Sequence, residues 1–135
     1  MIEIYQVDKL ELSAFEAVLN SSGLAERRPI QDRERLQRML DNSNLIVVAR
    51  DIKIDRIIGI SRAITDYSYC CYLSDLAVDR AYQGNGIGRR PIEKAREVAG
   101  PETMCLLLSS PDAVPFYKGI GMPQPDNAFL FKRDH

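Results

Sequence analysis

The sequence contains no tryptophan, one histidine and three cysteines, and this scarcity excludes several kinds of catalytic site. The histidine is His135, the last residue, where a chain usually frays, so we expect no Ser-His-Asp or Cys-His catalysis. Cys70, Cys71 and Cys105 have neither the spacing of zinc ligands nor the even number that disulfide pairing needs. We therefore expect free thiols that serve as small core residues in a reducing compartment, and no metal site.

The sequence also lacks an excess of charge of either sign and any long apolar run. Lysine and arginine total 18 against 19 aspartate and glutamate, so the net charge is −1. Proteins that bind the phosphate backbone of nucleic acids normally carry a strong basic surplus, so we expect no nucleic-acid partner. No apolar run approaches the roughly 20 residues of a membrane span, and the start MIEIYQVDKL is unlike a signal peptide. We therefore expect a cytoplasmic protein without a membrane partner.

The length and composition of the chain predict one globular domain. A chain of 135 residues buries a core of ordinary size, and 45% apolar with 27% charged residues is a globular composition. The sequence shows no internal repeat, low-complexity tract or linker. Residues 1–135 are therefore expected to form a single domain.

Apolar periodicity predicts an alternation of strands and helices along the chain. Four helices are indicated by apolar residues at helical spacing. The first helix begins near Leu10, and the other three cover about residues 31–41, 87–99 and 112–118. Six strands are indicated by alternating or continuous apolar runs: residues 2–7, 44–50, 56–64, 69–78, 103–109 and 127–133.

Three glycines at alternate positions, Gly84, Gly86 and Gly88, lie between the strand that ends at Val78 and the next helix. Bare backbone N–H groups and the positive end of a helix dipole converge at such a point. This arrangement favours an anion, and a phosphate in particular. A glycine-rich turn that only lets strand and helix pack closely is the alternative that the stretch alone leaves open.

Two other phosphate-binding motifs fail on spacing. A dinucleotide fingerprint that starts at Gly84 needs a third glycine where the chain has Arg89. A nucleotide triphosphatase loop ends in Gly-Lys-Ser/Thr, whereas this stretch ends in Gly88, Arg89 and Arg90. Neither motif therefore explains the glycines.

The segment QGNGIG, residues 83–88, resembles the Gln/Arg-x-x-Gly-x-Gly/Ala pyrophosphate loop of the GNAT superfamily of acyl-CoA-dependent N-acetyltransferases. The similarity extends to YLSDLAVDRAYQGNGIG, which resembles the central strand and loop of that family, and to LLLSSPDAVPFYKGIGM, which resembles its next strand and helix. The resemblance covers nearly all of the chain and is tightest from about Ile57 to Met122. It implies an α/β (α+β) fold whose mixed, mostly antiparallel central sheet has about six to seven strands, is flanked by about four helices and is splayed at the central strand.

The resemblance further implies that acetyl-CoA is the cosubstrate. Backbone amides of the glycine loop would hold its pyrophosphate, and Arg89 would add a charge-assisted contact. Free backbone groups of the central strand would pair with the pantetheine arm and polarise the acetyl carbonyl. The implied acetyl-CoA-binding residues are Leu76, Ala77, Val78, Gln83, Gly84, Asn85, Gly86, Ile87, Gly88 and Arg89.

Two residues are implied in the chemistry, Asp75 and Tyr117. A lysine-like amine has a pKa near 10.4 and must lose a proton before it attacks a thioester. Some family members carry a glutamate base where this chain has Ser74, so the neighbouring Asp75 is the first candidate for the base, with Ser74 and water as alternatives. Pairing with an arginine or with backbone groups is the structural alternative for Asp75. Tyr117 matches the family's proton donor to the departing thiolate.

Pro91 departs from the family pattern, which usually has an aliphatic residue there. Since proline cannot donate to the carbonyl of Ile87 and crowds it, we predict an irregular first helical turn and a gain in stability on Pro91→Leu.

The predicted function is transfer of the acetyl group of acetyl-CoA directly onto a primary amine of a small molecule or peptide, through a ternary complex. A non-catalytic acyl-CoA-binding sensor or partner module is the alternative. Asp66, Tyr67 and Tyr69 either contact the amine or belong to a plain loop. A homodimer is an expectation from the resemblance alone.

Overall fold

The computed structural model describes all residues, 1–135, and contains five β-strands and four α-helices. In chain order these are β1 (Ile2–Val7), α1 (Leu12–Ser22), α2 (Arg33–Asp41), β2 (Leu45–Asp51), β3 (Arg56–Thr65), β4 (Cys70–Val78), α3 (Arg89–Ala99), β5 (Met104–Leu106) and α4 (Val114–Gly119). Single 3₁₀ turns cover Leu24–Arg27, Arg80–Tyr82 and Pro111–Ala113. The predicted mixed fold is confirmed.

The strands form one sheet in the order β1-β2-β3-β4-β5, in which β5 alone runs parallel to its neighbour. The sheet therefore has fewer strands than the predicted six to seven. The segment predicted as the last strand, residues 127–133, has no regular structure, and Phe129 and Phe131 are fully exposed. A strand forms by pairing with a neighbour, and this segment pairs with none despite its suitable residues.

The two faces of the sheet are covered by different helices, and strand β2 shows the division. Leu45 and Val47 pack in one core cluster with α3, whereas Ile46 and Val48 pack in another with α1 and α2. Successive side chains of a strand point to opposite faces, so a strand covered on both sides is apolar throughout. This explains the continuous apolar run in the sequence.

Helix α3 begins directly after the glycine stretch, and Pro91 lies in its first turn. The turn is tight, because the carbonyl of Ile87 accepts from the amide of Arg90 at 3.1 Å. The first N–H groups of a helix have no intrahelical partner, so a proline loses little there. Pro91 is also buried, and its carbonyl accepts from the hydroxyl of Ser61 in β3 at 3.0 Å. The gain in stability predicted for Pro91→Leu therefore does not follow.

Strands β4 and β5 pair over three residues only and then separate. Their partners are Cys70 with Met104, Cys71 with Cys105, and Tyr72 with Leu106. Beyond Tyr72, the edge of β4 that faces β5 has no strand beside it. This is the predicted splay of the sheet at its central strand.

The three cysteines are free, as expected, but only Cys71 is buried. Burial raises the pKa of the Cys71 thiol to about 11, and Cys105 beside it adds to the shift. The expectation of a core position is wrong for Cys70, which is exposed. No helix of this fold combines the length and apolar character that a membrane-spanning helix requires.

Candidate active site

The open edge of β4 offers two backbone amides toward the gap between β4 and β5. The amide of Asp79 donates to the carbonyl of Ile58 in β3 at 2.7 Å. Alternate residues of an antiparallel strand bond to the same neighbour, so the amide of Ala77 also faces β3. The amides of Leu76 and Val78 therefore point to the open edge.

The chain between β4 and the glycine loop is held by side-chain hydrogen bonds. The hydroxyl of Tyr82 donates to the carboxylate of Asp51 at the end of β2, at 2.5 Å. This bond lowers the pKa of Asp51 and raises that of Tyr82. The side-chain amide of Gln83 donates to the carbonyl of Val78 at 2.9 Å. These two hydrogen bonds fix the direction in which the chain runs from β4 to the glycine loop.

Gly84 and Gly86 need their glycines because of backbone conformation. Their φ angles are +86° and +74°, which side chains other than glycine rarely adopt. A β-carbon at either position would meet nothing within 4 Å, so the space above both residues is open. Positive-φ glycines with open space above them, directly before the N-terminus of α3, suit a phosphate group. The loop therefore fits the pyrophosphate that the sequence implied.

The other predicted loop residues, Asn85, Ile87 and Arg89, differ in burial and in the groups that they contact. Ile87 is buried in a small cluster with Ala49, Ile58 and Val78, so its side chain anchors the loop to the sheet. The side-chain amide of Asn85 lies 3.5 Å from the carbonyl of Tyr82. Arg89 is about half exposed, and its Nε lies 2.8 Å from Oε1 of Glu93 one turn along α3. The guanidinium of Arg89 is therefore beside the loop but already paired.

Tyr117 lies on α4, in the lining of an open groove of about 760 Å³ between α3, β5, α4 and the segment after α4. Its ring meets that of Phe116 edge to face, with the centroids 5.1 Å apart. Burial raises the pKa of the Tyr117 hydroxyl, and the positive charge of Arg28 opposes part of that rise. The phenol is thus kept protonated over a wide pH range, as a proton donor requires.

Asp75 lies in the interior and binds two arginines. Its side chain is 0% exposed; Oδ1 lies 2.6 Å from Nε of Arg28, and Oδ2 lies 2.5 Å from Nε of Arg62. Both oxygens are therefore occupied by guanidinium donors. The next residue back, Ser74, bonds through its hydroxyl to Arg62 and through its carbonyl to Arg28.

A second, polar cavity of about 590 Å³ lies beside the connection between α1 and α2. Arg28 and Arg80 line it together with the acidic residues Glu26 and Asp32. Arg28 therefore borders this cavity, and its guanidinium reaches β4. Asp66 lies elsewhere: its carboxylate accepts three backbone amides in the turn between β3 and β4, so its role in that turn is structural.

Residues 4–122 match the model of the acetyltransferase (GNAT) family, which is most of the chain. The chain belongs to the GNAT family. It is also 33% identical over 121 residues to an uncharacterized N-acetyltransferase, ycf52-like, from Prochlorococcus marinus, and the match covers 86% of this chain and 64% of that relative. The chain thus spans somewhat less than two thirds of the length of that GNAT relative.

Solved structures share the fold. SA2161, a protein of unknown function from meticillin-resistant Staphylococcus aureus, superposes with a TM-score of 0.77 at 23% identity, covering 98% of this chain and 99% of that one. The aminoglycoside N-acetyltransferase AAC(6')-Iy, in complex with CoA, superposes with a TM-score of 0.71 at 13% identity, covering 100% and 96%. At these identities the likeness concerns the GNAT fold alone.

The sequence did not indicate the two arginines that bind Asp75. Arg62 had a detectable signal, because it is the one charged residue inside the apolar run of β3, and Asp75 is the one charged residue of the apolar strand β4. Arg28 had none, since it lies in the connection between α1 and α2, 47 residues from Asp75. The contact of Arg28 therefore depends on the tertiary structure of this GNAT domain.

Proposed function

We propose that this protein transfers the acetyl group of acetyl-CoA to a primary amine. The observation that carries the proposal is the continuity of the open β4 edge with the glycine loop at the start of α3. Such a path offers strand-like pairing to an extended chain and an anion site at its end. Membership of the GNAT family supports the same conclusion.

The proposed acetyl-CoA site uses mainly backbone groups. The amides from Gln83 to Gly88 bind the pyrophosphate, and Arg89 exchanges part of its pairing with Glu93 for a phosphate oxygen. The amides of Leu76 and Val78 pair with the pantetheine arm and polarise the acetyl carbonyl. Ala77 contributes its backbone to the pairing with β3 instead.

The proposed chemistry needs two proton movements. Acetyl-CoA supplies a thioester; a C–N bond forms as the C–S bond breaks, the amine loses a proton and the sulfur gains one. Tyr117 donates the proton to the sulfur, because its hydroxyl stays protonated at neutral pH. We assign Asp75 to positioning rather than to the base, since both of its oxygens are bound to arginines. Water in the polar cavity beside Arg28 accepts the proton of the amine.

The proposed acceptor is a small-molecule or peptide amine that enters through this polar cavity. Glu26 and Asp32, the two carboxylates that line the cavity, are the groups that would bind an ammonium, and Arg28 and Arg80 balance their charge. A related fold is that of an aminoglycoside N-acetyltransferase, so polyamine-like antibiotics belong in any set of test amines. We further propose a homodimer, for which the exposed apolar side chains of Phe129 and Phe131 provide contact surface.

A non-catalytic acyl-CoA-binding module is the second candidate function. The burial of Asp75 favours it, because the site then lacks a carboxylate base. The transferase consumes acetyl-CoA and an amine, whereas the module binds acyl-CoA without a reaction. Thiol release from acetyl-CoA with a panel of small-molecule and peptide amines, with mass detection of products, distinguishes them. Amine-dependent release with an acetylated product supports the transferase, and binding without release supports the module.

A further inference from the structure

The central strand contains a β-bulge at the place where the two arginines bind. Opposite β3, the register shifts between Arg62 and Ala63: Asp75 pairs with Arg62 and Leu73 pairs with Ala63, which leaves Ser74 as the extra residue. A bulge reverses which backbone groups face each neighbouring strand. Before it, the carbonyl of Tyr69 accepts from β5. After it, the even-numbered residues of β4 face the open edge.

Arg28 and Arg62 hold this bulge from two directions. Nη2 of Arg28 lies 2.8 Å from the carbonyl oxygen of Ser74, and Nη2 of Arg62 lies 3.1 Å from its hydroxyl oxygen. Each arginine also occupies one oxygen of Asp75. One buried carboxylate thus faces two guanidinium groups, and the cluster keeps a net positive charge. Buried charges are stable only when paired and hydrogen-bonded in this way.

The two arginines differ in what else they reach. Arg62 belongs to β3, has a 5% exposed side chain and bonds to Ser43 after α2. Arg28 comes from the connection between α1 and α2, is 22% exposed and borders the polar cavity. Burial raises the pKa of Tyr117, and the charge of Arg28 opposes part of that rise. Arg28 therefore joins the bulge to the border of the polar cavity.

Other ionisable groups line the same groove as Tyr117. Lys118 is its neighbour on α4, α3 contributes Arg89, Glu93 and Arg96 along the shared groove, and β5 contributes the thiol of Cys105. The effect of Arg28 on Tyr117 is therefore separable from these groups by substitution.

We propose that Arg28 is a positioning residue for acetyl transfer: by binding the carbonyl of the bulged residue Ser74, it fixes the bulge so that the amide of Leu76 faces the thioester carbonyl. The proposal rests on the proposed function. It assigns Arg62 mainly to stability, because Arg62 bonds to the side chains of Ser74 and Ser43 and not to the bulged backbone.

The experiment compares Arg28→Gln with Arg62→Gln, because each variant removes one of the two guanidinium groups from the same carboxylate. Thermal unfolding establishes that each variant folds, and the thermal shift with acetyl-CoA measures binding. Turnover is measured against pH with the most active amine of the panel. The phenol of Tyr117 is titrated by NMR on ligand-free protein with ring-labelled tyrosine, which does not require activity.

For Arg28→Gln, we expect kcat to fall by about ten- to a hundredfold, within the range of lost positioning, with acetyl-CoA binding nearly unchanged. The phenol should titrate at higher pH than in the wild type, and any alkaline decline of kcat should move the same way, because a positive charge has been removed. Arg28→Lys, which keeps the charge but not the planar fork, should leave the phenol titration near that of the wild type. Arg62→Gln should lower the melting temperature without moving the phenol titration.

Equal losses of kcat in Arg28→Gln and Arg62→Gln would overturn the proposal. If Arg62→Gln does not fold, Arg62→Lys replaces it in the same comparison. Wild-type protein that acetylates no amine overturns the proposed function, and the proposal with it. Wild-type turnover together with an unaffected Arg28→Gln variant overturns the positioning role alone.

Discussion

The ring of Phe116 in α4 lies against Gly88 at the start of α3, so closely that a β-carbon on residue 88 would be 3.0 Å from Cζ of the ring. Gly88 has a φ of −60°, which any residue adopts. Its lack of a side chain, and not its backbone conformation, permits the contact. The contact joins the helix that follows the glycine loop to the helix that carries Tyr117.

Gly88→Ala should displace the Phe116 ring. Because that ring is 38% exposed and has room to move, we expect the free energy of unfolding to fall by about 1 kcal/mol, the low end for overpacking. Urea unfolding measures the change. Gly119→Ala is the control, since a β-carbon there meets nothing within 4 Å, and it should be neutral or slightly stabilising. A Gly88→Ala protein as stable as the Gly119→Ala protein would contradict the packing argument.

Gly86→Val should abolish acetyl-CoA binding and leave a folded protein. The φ of +74° strains valine by about 1–2 kcal/mol, and its side chain projects into the space proposed for phosphate. The thermal shift with acetyl-CoA measures binding. Gly100→Val, at the other end of α3 with a φ of +98°, imposes strain without touching the loop and should keep the shift. A full shift in Gly86→Val would disprove the phosphate site.

Tyr117→Phe should lower kcat by roughly 10- to 10⁴-fold, the reach of general acid catalysis. The ring and its edge-to-face contact with Phe116 remain, so the melting temperature and the thermal shift with acetyl-CoA should stay close to those of the wild type. Since burial raises the pKa of the phenol, the wild-type rate should decline only in strongly alkaline solution, and this decline should be absent from the variant. Unchanged turnover would show that Tyr117 lines the pocket but donates no proton.

Asp75→Asn should destabilise the protein at neutral pH. The change leaves two guanidinium groups without their carboxylate, for which the expected loss is about 3–5 kcal/mol of unfolding free energy. Denaturant unfolding measures it, and Asp55→Asn is the control because Asp55 pairs with Arg50 at an exposed site, where such pairs contribute about 1 kcal/mol or less. A stable Asp75→Asn protein with a rate loss confined to low pH would restore Asp75 as the base.

Asp66 should make stability depend on pH in acid. Its carboxylate accepts the amides of Cys70, Ser68 and Tyr69, which lowers its pKa from 3.8 to about 2. Because the folded pKa lies below the unfolded one, this stabilisation is complete above about pH 4 and is lost as the pH falls toward 2. Asp66→Asn should therefore show a flatter dependence of unfolding free energy on pH between 4 and 2. An identical slope in both proteins would refute the argument.

The sequence predicted those parts of the site that depend on neighbouring residues. The glycine loop was recognisable because Gly84 and Gly86 lie between a strand and a helix, and the order of elements from β1 to α4 follows from periodicity. The position of Pro91 was recognised too, but its energetic effect was misjudged. The effect of Pro91 on stability depends on whether the proline lies in the first turn of α3 or further along. A helix boundary is defined only to within one or two residues, which is enough to change that assignment.

The remainder of the site depends on contacts between distant segments. Arg28, Arg62 and Asp75 come from three separate elements, and no local pattern relates them. The prediction of a last strand was wrong for a related reason: residues 127–133 have the composition of a strand, but they do not pair with the outer edge of β5, which has no neighbour. Pairing of charges and pairing of strands are both properties of the folded chain.

The three-residue pairing of β5 with β4 has a consequence for how the molecule opens. Strand β5, which leads to helix α4, is attached through a ladder of three residue pairs, whereas β2 pairs with β3 along its full length. In native-state hydrogen exchange, the amides of β5 and α4 should therefore lose protection in local openings that leave the β1–β4 meander intact. Tyr117 moves with the less protected part and the glycine loop stays with the more protected one. A bound ligand that contacts both parts would hold them together and slow the hydrogen exchange. The affinity for such a ligand would then include the free energy of keeping the two parts together.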